Sequence, residues 1–279
     1  MMPPSSRTRW PISVWFLQLF PVVLKRPRAV QHPLASARLR KAWLIGFLAL
    51  AAVLAGAWLA RGKEAEPAGP VGLFTTLPIL WADSPDLAAS LKPQSEPHWA
   101  RDVLAKKGAI APIDTLTDES LAKVGRLVMA QPRVLTPVEN LALDTWVRKG
   151  GRLLLLADPA LTEHSAFPLG DPRRPQAVAL LSPILSRWGL GLLFDERQAF
   201  GRTGRDVMGV ELPVNLPGQL ATRGQGNCRL WGEGLAATCA IGRGRVVVLA
   251  DAALLERDDP SGQGRKALSW LLDAAFVAR

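Results

Sequence analysis

The sequence lacks the short motifs that mark several large enzyme classes. It has no G-x-x-x-x-G-K-[ST] loop for a phosphate, no G-x-S-x-G turn for a nucleophilic serine, and no H-E-x-x-H or paired C-x-x-C set for zinc. Only three histidines occur in the 279 residues. We therefore expect neither a metal centre nor a bound cofactor.

Acidic residues are absent from the first 41 positions, which hold eight lysines and arginines. These account for +8 of the formal net charge of +10, and residues 42–279 are nearly balanced, with 26 basic and 24 acidic side chains. A balanced domain without a basic stripe offers no electrostatic footprint for a phosphate backbone. The composition thus argues against a nucleic-acid partner.

Residues 42–60 form an apolar run, AWLIGFLALAAVLAGAWLA, without a charge or a proline. As a helix it would cross the roughly 30 Å hydrocarbon layer of a bilayer. A cleaved signal peptide is the alternative, but its apolar core is shorter and its leader is not 41 residues long. We expect an uncleaved transmembrane helix.

The basic segment 1–41 predicts that the N-terminus faces the cytoplasm. Residues 61–70 read as a polar linker, and residues 71–279 as a periplasmic domain. The expected localisation is the inner membrane, with a single pass and an exported C-terminal domain.

Strand and helix patterns alternate through the predicted domain. We expect strands at 71–76, 126–132 and 190–195, helices at 176–188 and 265–277, and an antiparallel β-meander at 228–251. Such alternation predicts an α/β fold with a doubly wound, mostly parallel, flavodoxin-like sheet that carries the meander at its edge and follows one transmembrane helix.

One helix is bounded with particular clarity. Thr136 is its predicted N-cap, with proline next and Glu139 completing a T-x-x-E capping box, and Gly150 follows its end. Helical spacing of apolar residues predicts a buried face made of four side chains: Val138, Leu141, Ala142 and Trp146.

Two segments of the chain are nearly copies of each other. GRLLLLADPALTE begins at Gly151 and GRVVVLADAALLE at Gly244, and eight of the thirteen positions are identical. Each predicts a buried strand that delivers an aspartate, Asp158 or Asp251, to the edge where open α/β sheets bind ligands. The pair is either a catalytic or ligand-binding set, or a structural device in which each carboxylate accepts main-chain N–H groups. The structural interpretation is favoured.

A long loop, residues 159–175, follows the first of these strands and is the best candidate for a binding site. Its polar residues are His164, Ser165, Asp171, Arg173 and Arg174. The two arginines are suited to clamping an anion, or alternatively to forming surface salt bridges with neighbours such as Asp171.

The string LTPVENLALDTWVRKGGRLLLLADP, with HWARDVLAKKG before it and CAIGRGRVVVLADAALL after it, resembles the bacterial DUF4350 / GldG-like family. The resemblance covers about residues 71–256. It implies a membrane-tethered domain similar to class I glutamine amidotransferases, associated with ABC-type transport auxiliary components. Enzymes of that fold carry a cysteine nucleophile on a strand-to-helix turn, where this chain has Asp158 and Pro159, so glutaminase activity is not implied.

The expected function is therefore a non-catalytic scaffold or ligand-sensing module of an envelope or ABC-type transport complex. Its expected partners are the inner membrane and an ABC permease or MoxR-type ATPase system. The alternative is a periplasmic hydrolase that acts on envelope carbohydrate or peptide through Asp158, His164 and Asp251.

The two cysteines, Cys228 and Cys239, are predicted to form a disulfide. In CRLWGEGLAATC a two-residue turn at Glu233 and Gly234 places them directly opposite each other on paired strands, by this count at a hydrogen-bonded position. Two free buried thiols are the alternative.

Overall fold

The computed structural model describes residues 43, 46–47, 50–51, 69–81, 83–84, 97–224 and 226–277. The chain divides into two compact units, Met1–Gly62 and Lys63–Arg279. The few described residues of the first unit are helical, and their side chains are exposed. All of the sheets lie in the second unit.

The predicted transmembrane helix and inner-membrane localisation are corrected here. Within the ranges that the structure describes, no helix is long and apolar enough to cross a membrane. Most of residues 42–60, all of the basic segment 1–41 and most of the linker 61–70 lie outside the described residues.

The second unit contains eleven strands and five helices in the described ranges. The strands are β1 (Val71–Thr75), β2 (Ile110–Pro112), β3 (Arg126–Ala130), β4 (Arg152–Leu156), β5 (Leu190–Leu193), β6 (Thr203–Val207), β7 (Val210–Val214), β8 (Gln219–Thr222), β9 (Cys228–Trp231), β10 (Ala236–Ile241) and β11 (Gly244–Leu249). The helices are α1 (Trp99–Ala105), α2 (Asp118–Ala122), α3 (Pro137–Arg148), α4 (Ser182–Arg187) and α5 (Gln263–Phe276).

Seven of the strands form one mixed sheet in the order β2-β1-β3-β4-β11-β10-β9. The first five strands run parallel, while β10 and β9 are antiparallel to their neighbours. The remaining strands pair as β5 with β8 and β6 with β7, in two separate two-stranded sheets.

The predicted fold class, a flavodoxin-like sheet preceded by a transmembrane helix, is wrong in that form. The strand at 190–193 was expected to join the parallel sheet, but it pairs antiparallel with β8, and the last strand, β11, takes the place beside β4. Between this strand and the predicted meander, the chain forms three further strands, β6 to β8. Side chains at the end of β5 are exposed, as at Leu193, so this strand cannot serve as a buried central strand.

Helices cover both faces of the seven-stranded sheet. On one face, apolar residues of α1 and α5 pack in a cluster with Leu154 and Leu156 of β4. On the other, residues of α2, α3 and α4 pack in a second cluster with Leu153 and Leu155. Consecutive leucines of β4 point to opposite faces and all are buried, which explains the unbroken apolar run.

Helix α3 begins as the sequence predicts. Thr136 accepts a hydrogen bond from the Glu139 main-chain N–H, and the Glu139 carboxylate accepts one from the Thr136 N–H. The predicted buried face is confirmed for Ala142 and Trp146, which pack in the core, but is wrong for Val138 and Leu141, which are 72% and 56% exposed. Glu139 is itself buried, where its carboxylate accepts from Arg133, and it shares the buried face with Leu143 and Val147.

The helix predicted over 176–188 begins six residues later, at Ser182. Gln176 instead forms hydrogen bonds to residues that follow β1 and β3. Its N–H donates to Thr76 Oγ1, and its carbonyl accepts from Gln131 Nε2. The last helix extends over Gln263–Phe276, close to the predicted 265–277.

The predicted disulfide between Cys228 and Cys239 is confirmed. The two residues are direct partners in the β9–β10 pairing, and the intervening turn carries Glu233 and Gly234 in left-handed conformations. Their Cα atoms are 4.0 Å apart, and the adjacent pair is joined by a hydrogen bond from Ala240 N to Asn227 O. The cysteines therefore occupy the narrow, non-hydrogen-bonded kind of position, not the wider kind that counting from the turn predicts.

Candidate functional site

The carboxyl ends of three adjacent parallel strands deliver polar side chains to one edge of the sheet. Gln131 follows β3, Asp158 follows β4 and Asp251 follows β11, and all three are fully buried. The two repeated segments are thus neighbouring parallel strands paired in register, with Arg152 opposite Arg245 and Leu156 opposite Leu249. This register places Asp158 and Asp251 at equivalent points of the edge.

Asp158 links the ends of β4 and β11 through hydrogen bonds. Its Oδ1 accepts a hydrogen bond from Ala160 N at 2.8 Å, within its own loop. Its Oδ2 accepts one from Ala252 N at 3.0 Å, just past the neighbouring strand β11. Both oxygens are therefore occupied by main-chain donors.

Asp251 repeats this arrangement one strand along. Its Oδ1 accepts from Ala253 N at 2.6 Å, and its Oδ2 accepts from Asn215 N at 3.0 Å, at the end of β7. Each aspartate thus closes a turn two residues ahead and bridges to another element. The contacts agree with the structural interpretation of the repeated Ala-Asp, in which each carboxylate accepts main-chain N–H groups. Neither carboxylate faces solvent.

Burial raises the pKa of both aspartates, and the hydrogen bonds from main-chain N–H groups only partly offset this effect. The pKa of Asp251 is raised further by the negative charge of the adjacent Asp158.

Gln131 attaches the long loop to the sheet edge. Its Oε1 accepts from Asp158 N at 2.9 Å, and its Nε2 donates to Asp158 O at 3.1 Å and to Gln176 O at 2.7 Å. The residue itself has a left-handed backbone, with φ 42°. The loop therefore covers the edge at which a ligand was expected.

The polar residues predicted in the loop are dispersed over it. Ser165 is buried, and its Oγ accepts from Phe167 N and donates to Asp83. Arg173 pairs with Asp171 two residues away, as expected of a surface salt bridge, and Arg174 donates to the Phe167 carbonyl at 2.6 Å. His164 is exposed on the loop surface. These contacts fix the loop's own conformation, and the proposed role of the loop as a ligand site stays a prediction.

Two glutamates complete a group of acids at this edge. We use the name carboxylate cluster for Asp158, Glu163, Asp251 and Glu256. The negative charge of Glu256 raises the pKa of each of the other three. Glu163 and Glu256 are only partly buried, so they form the solvent-facing side of the cluster.

Glu256 is held by two oriented donors. Thr162 Oγ1 donates to its Oε1 at 2.9 Å, and Arg202 Nη1 lies 3.3 Å from its Oε2. Asn215 Nδ2 in turn donates to Thr162 Oγ1 at 3.1 Å. Glu256 is thus bound at one oxygen by a hydroxyl group and at the other by an arginine.

Glu163 lies in a different environment. Burial and the charge of Glu256 together raise its pKa to about 7, although a hydrogen bond from the Arg257 main-chain N–H opposes the change. That N–H belongs to the residue after Glu256, so the two side chains are neighbours. A carboxyl with a pKa of about 7 thus lies beside a carboxylate that is paired with Arg202.

Neither glutamate was among the residues selected from the sequence. The signal was present in the repeat, because Glu163 and Glu256 are the last of its identical positions, each five residues after the shared aspartate. Pairing of the two strands in register brings both glutamates to the same edge. The identical glutamate at the end of the repeat is therefore a sequence signal for the cluster, in addition to the identical aspartate.

No group of three or more histidine, cysteine, aspartate or glutamate side chains that could hold a metal ion occurs among the described residues. A cleft of about 560 Å³ opens elsewhere, between the β5–β8 pair and the turn after β9, where Asp195, Arg197 and Glu233 line it. Its lining includes no member of the carboxylate cluster. We place the candidate chemistry at the cluster because its titrating groups interact with one another.

No protein-family model matches the sequence, and no curated protein matches it. Solved structures that are similar to the chain include an exo-β-1,4-mannosidase from Opitutaceae bacterium strain TAV5, with 18% identity and a TM-score of 0.43 over 76% of this chain and 37% of that one. A β-galactosidase from Bacillus circulans sp. alkalophilus has 13% identity and a TM-score of 0.43 over 78% of this chain and 32% of that one. The chain spans about a third of the length of these glycosidases.

A cytoplasmic protein from Salmonella typhimurium has 11% identity and a TM-score of 0.46 over 75% of this chain and 99% of that one. These findings correct the predicted function of a membrane-anchored, non-catalytic scaffold for ABC-type transport. The similar structures named here are two glycosidases and a cytoplasmic protein, and no described helix could span a membrane. The DUF4350 / GldG-like resemblance, and the ABC permease or MoxR-type partner expected from it, stay predictions.

Proposed function

We propose that this chain is a hydrolase that cleaves glycosidic bonds with the glutamates of the carboxylate cluster. Glu163 is the general acid, and Glu256, which is paired with Arg202, is the partner carboxylate. The observation that carries the proposal is the placement of Glu163 and Glu256 after two strands paired in register, with Glu256 held by Thr162 and Arg202. Burial and the charge of Glu256 raise the pKa of Glu163 to about 7. A carboxyl with this pKa can hold a proton at neutral pH and release it during the reaction.

The reaction requires two carboxyl groups in different protonation states. Glu163 donates its proton to the oxygen of the departing sugar as the bond from that oxygen to the anomeric carbon breaks. The negative charge of Glu256 stabilises the positive charge that develops on the sugar ring. A water molecule then adds to the anomeric carbon, and its released proton restores Glu163, so that one water is consumed for each bond cleaved.

Thr162, Asn215 and Arg202 act as positioning residues in this proposal. Thr162 and Arg202 each hold one oxygen of Glu256, and Asn215 orients the Thr162 hydroxyl. Asn215 also gives its main-chain N–H to Asp251, so the buried aspartates support the reacting pair from beneath. This assigns to Asp158 and Asp251 a structural role in place of the catalytic one considered from the sequence.

The test is hydrolysis of aryl β-mannosides and β-galactosides, together with a wider panel of aryl glycosides, by the full chain and by Glu163→Gln and Glu256→Gln. We expect turnover by the full chain and a decrease of at least about a hundredfold in each variant, as for loss of a general acid or its partner. Turnover by the full chain should decline as the pH rises above about 7, because Glu163 then loses its proton.

The matched control is Glu119→Gln, since Glu119 is a surface glutamate on α2 that is paired only with Lys123. It should retain the activity of the unmodified chain. Lack of turnover on the whole panel, or equal activity in all three variants, would show that the cluster is not a glycosidase site.

A further inference from the structure

A second polar cleft lies at the opposite end of the sheet from the carboxylate cluster. It has a volume of about 480 Å³ and is lined by Arg148 at the end of α3, Arg187 at the end of α4, Arg223 after β8, and the turn that joins β10 to β11. These positions adjoin the starts of the parallel strands β4 and β11. The cleft is therefore remote from the proposed hydrolytic site along the strand direction.

One buried carboxylate orients two of the three arginines. Asp144 Oδ2 accepts from Arg148 Nε at 2.9 Å and from Arg187 Nε at 2.6 Å, while its Oδ1 accepts from Trp188 Nε1 at 3.0 Å. The Asp144 side chain is 3% exposed, whereas those of Arg148 and Arg187 are 48% and 52% exposed. The aspartate thus anchors both guanidinium groups from the protein side.

Each anchoring contact uses the Nε of the guanidinium group. An arginine carries five N–H donors, and four of them are on the two terminal nitrogens. About half of each of these two side chains is exposed, and both arginines line the cleft. Two guanidinium groups held side by side in this way present the fork geometry that binds oxyanions.

The charge of the cleft is positive. Among the described residues, its lining includes three arginines and no aspartate or glutamate, and Asp144 beneath it neutralises only one of the three charges. Glycines 189, 224, 226 and 242 also line the cleft, so that little side-chain bulk covers the main chain there. Such a site favours a ligand with two negative charges and several acceptor oxygens.

We propose that this cleft binds a phosphate-type oxyanion through the terminal nitrogens of Arg148 and Arg187, with Arg223 as the third contact. Inorganic phosphate and the phosphate group of a phosphate monoester share the required chemistry. The proposal does not depend on the hydrolytic function, because no residue is common to the two sites.

The test is isothermal titration calorimetry of the full chain with inorganic phosphate, at an ionic strength kept constant with sodium chloride. We expect saturable binding at one site, weakened about tenfold or more in Arg223→Gln, as for loss of one charged hydrogen bond. Arg187→Lys keeps the charge but removes the fork, and it should weaken binding similarly. The matched control, Arg197→Gln, lies outside this cleft and should bind as the unmodified chain does.

Two further ligands identify the source of the oxyanion. Glycerol phosphate that binds at least as tightly as inorganic phosphate supports a phosphate monoester ligand, and weaker binding supports free phosphate. Succinate that binds as tightly as phosphate would overturn the phosphate assignment. Absence of saturable phosphate binding, or equal weakening by Arg197→Gln, would overturn the site. Circular dichroism of each variant checks that it is folded.

Discussion

Asp158 has two partners of one chemical kind, the main-chain N–H groups of Ala160 and Ala252. Ala252 is buried, so water cannot readily replace its lost acceptor, whereas Ala160 lies in the loop 159–175 and is partly buried. The ionised form of the carboxylate is nevertheless costly there, because burial raises its pKa. Loss of the acceptor destabilises the fold at any pH. Removal of the buried negative charge offsets part of that loss, and it does so only at a pH at which the carboxyl would be ionised.

We predict that Asp158→Ala lowers the free energy of unfolding by about 2 kcal/mol at pH 5 and by less at pH 8. A carboxyl whose folded pKa is raised binds more protons in the folded state, so its contribution to stability declines as the pH rises from 3.8 through the higher folded value. Urea unfolding at the two pH values measures the difference. Asp206→Ala, at an exposed position, is the control and should change little at either pH. A loss that grows with pH would refute this account of Asp158.

At the scale of the element, the β9–β10 hairpin has a tight turn at one end and a disulfide between its two strands at the other. Leu235 N donates to Gly232 O across the turn, and the disulfide links the strands at the far end. Because β9 is the edge strand of the seven-stranded sheet, it has a pairing partner within that sheet on only one side. The disulfide therefore holds a strand that would otherwise be prone to fray.

Replacing both cysteines with serine should lower the free energy of unfolding by about 3 kcal/mol, the chain-entropy value for a loop of this length. Thermal or urea unfolding with and without reductant measures the effect. Reductant should destabilise the unmodified chain by the same amount and leave the double-serine variant unchanged. Equal stability of the oxidised chain and the variant would contradict a stabilising role for the bond.

Local sequence patterns predicted local structure well. The capping box of α3 and the pairing of the cysteines depend on residues three to eleven positions apart, and both are present. Apolar spacing predicted only part of the buried face of α3, since the buried, charged Glu139 lies on that face while the apolar Val138 is exposed. Hydrophobic periodicity contains no information about that ion pair.

Pairing between distant strands was beyond the sequence patterns. The composition of β5 is that of a buried strand, but whether it joins the main sheet or β8 depends on which partner reaches it in the folded chain. The repeat did contain the information for the site. The two glycines that begin the repeat are explained by packing instead, because a Cβ at Gly244 would collide with the Val147 carbonyl and one at Gly151 with the Trp146 ring.

In the second unit, an acidic region and a basic region lie at opposite ends of the parallel strands β4 and β11. The carboxylate cluster lies at the carboxyl ends of β4 and β11, and the arginine-lined cleft lies near their amino ends. Because both regions belong to the same two strands, a change that unfolds the sheet would remove both. Variants that affect one region alone, with the fold intact, are needed to assign a function to either.

The most direct measurement is a carbon-13 nuclear magnetic resonance titration of the glutamate side-chain carboxyls in the folded chain, with Glu163 assigned by the loss of its signal in Glu163→Gln. The proposed mechanism predicts that the pKa of Glu163 is about 7 and that it decreases in Glu256→Gln, where the neighbouring negative charge is removed. A pKa of Glu163 near the ordinary glutamate value of 4.5, unchanged in Glu256→Gln, would contradict the assignment of Glu163 as a general acid.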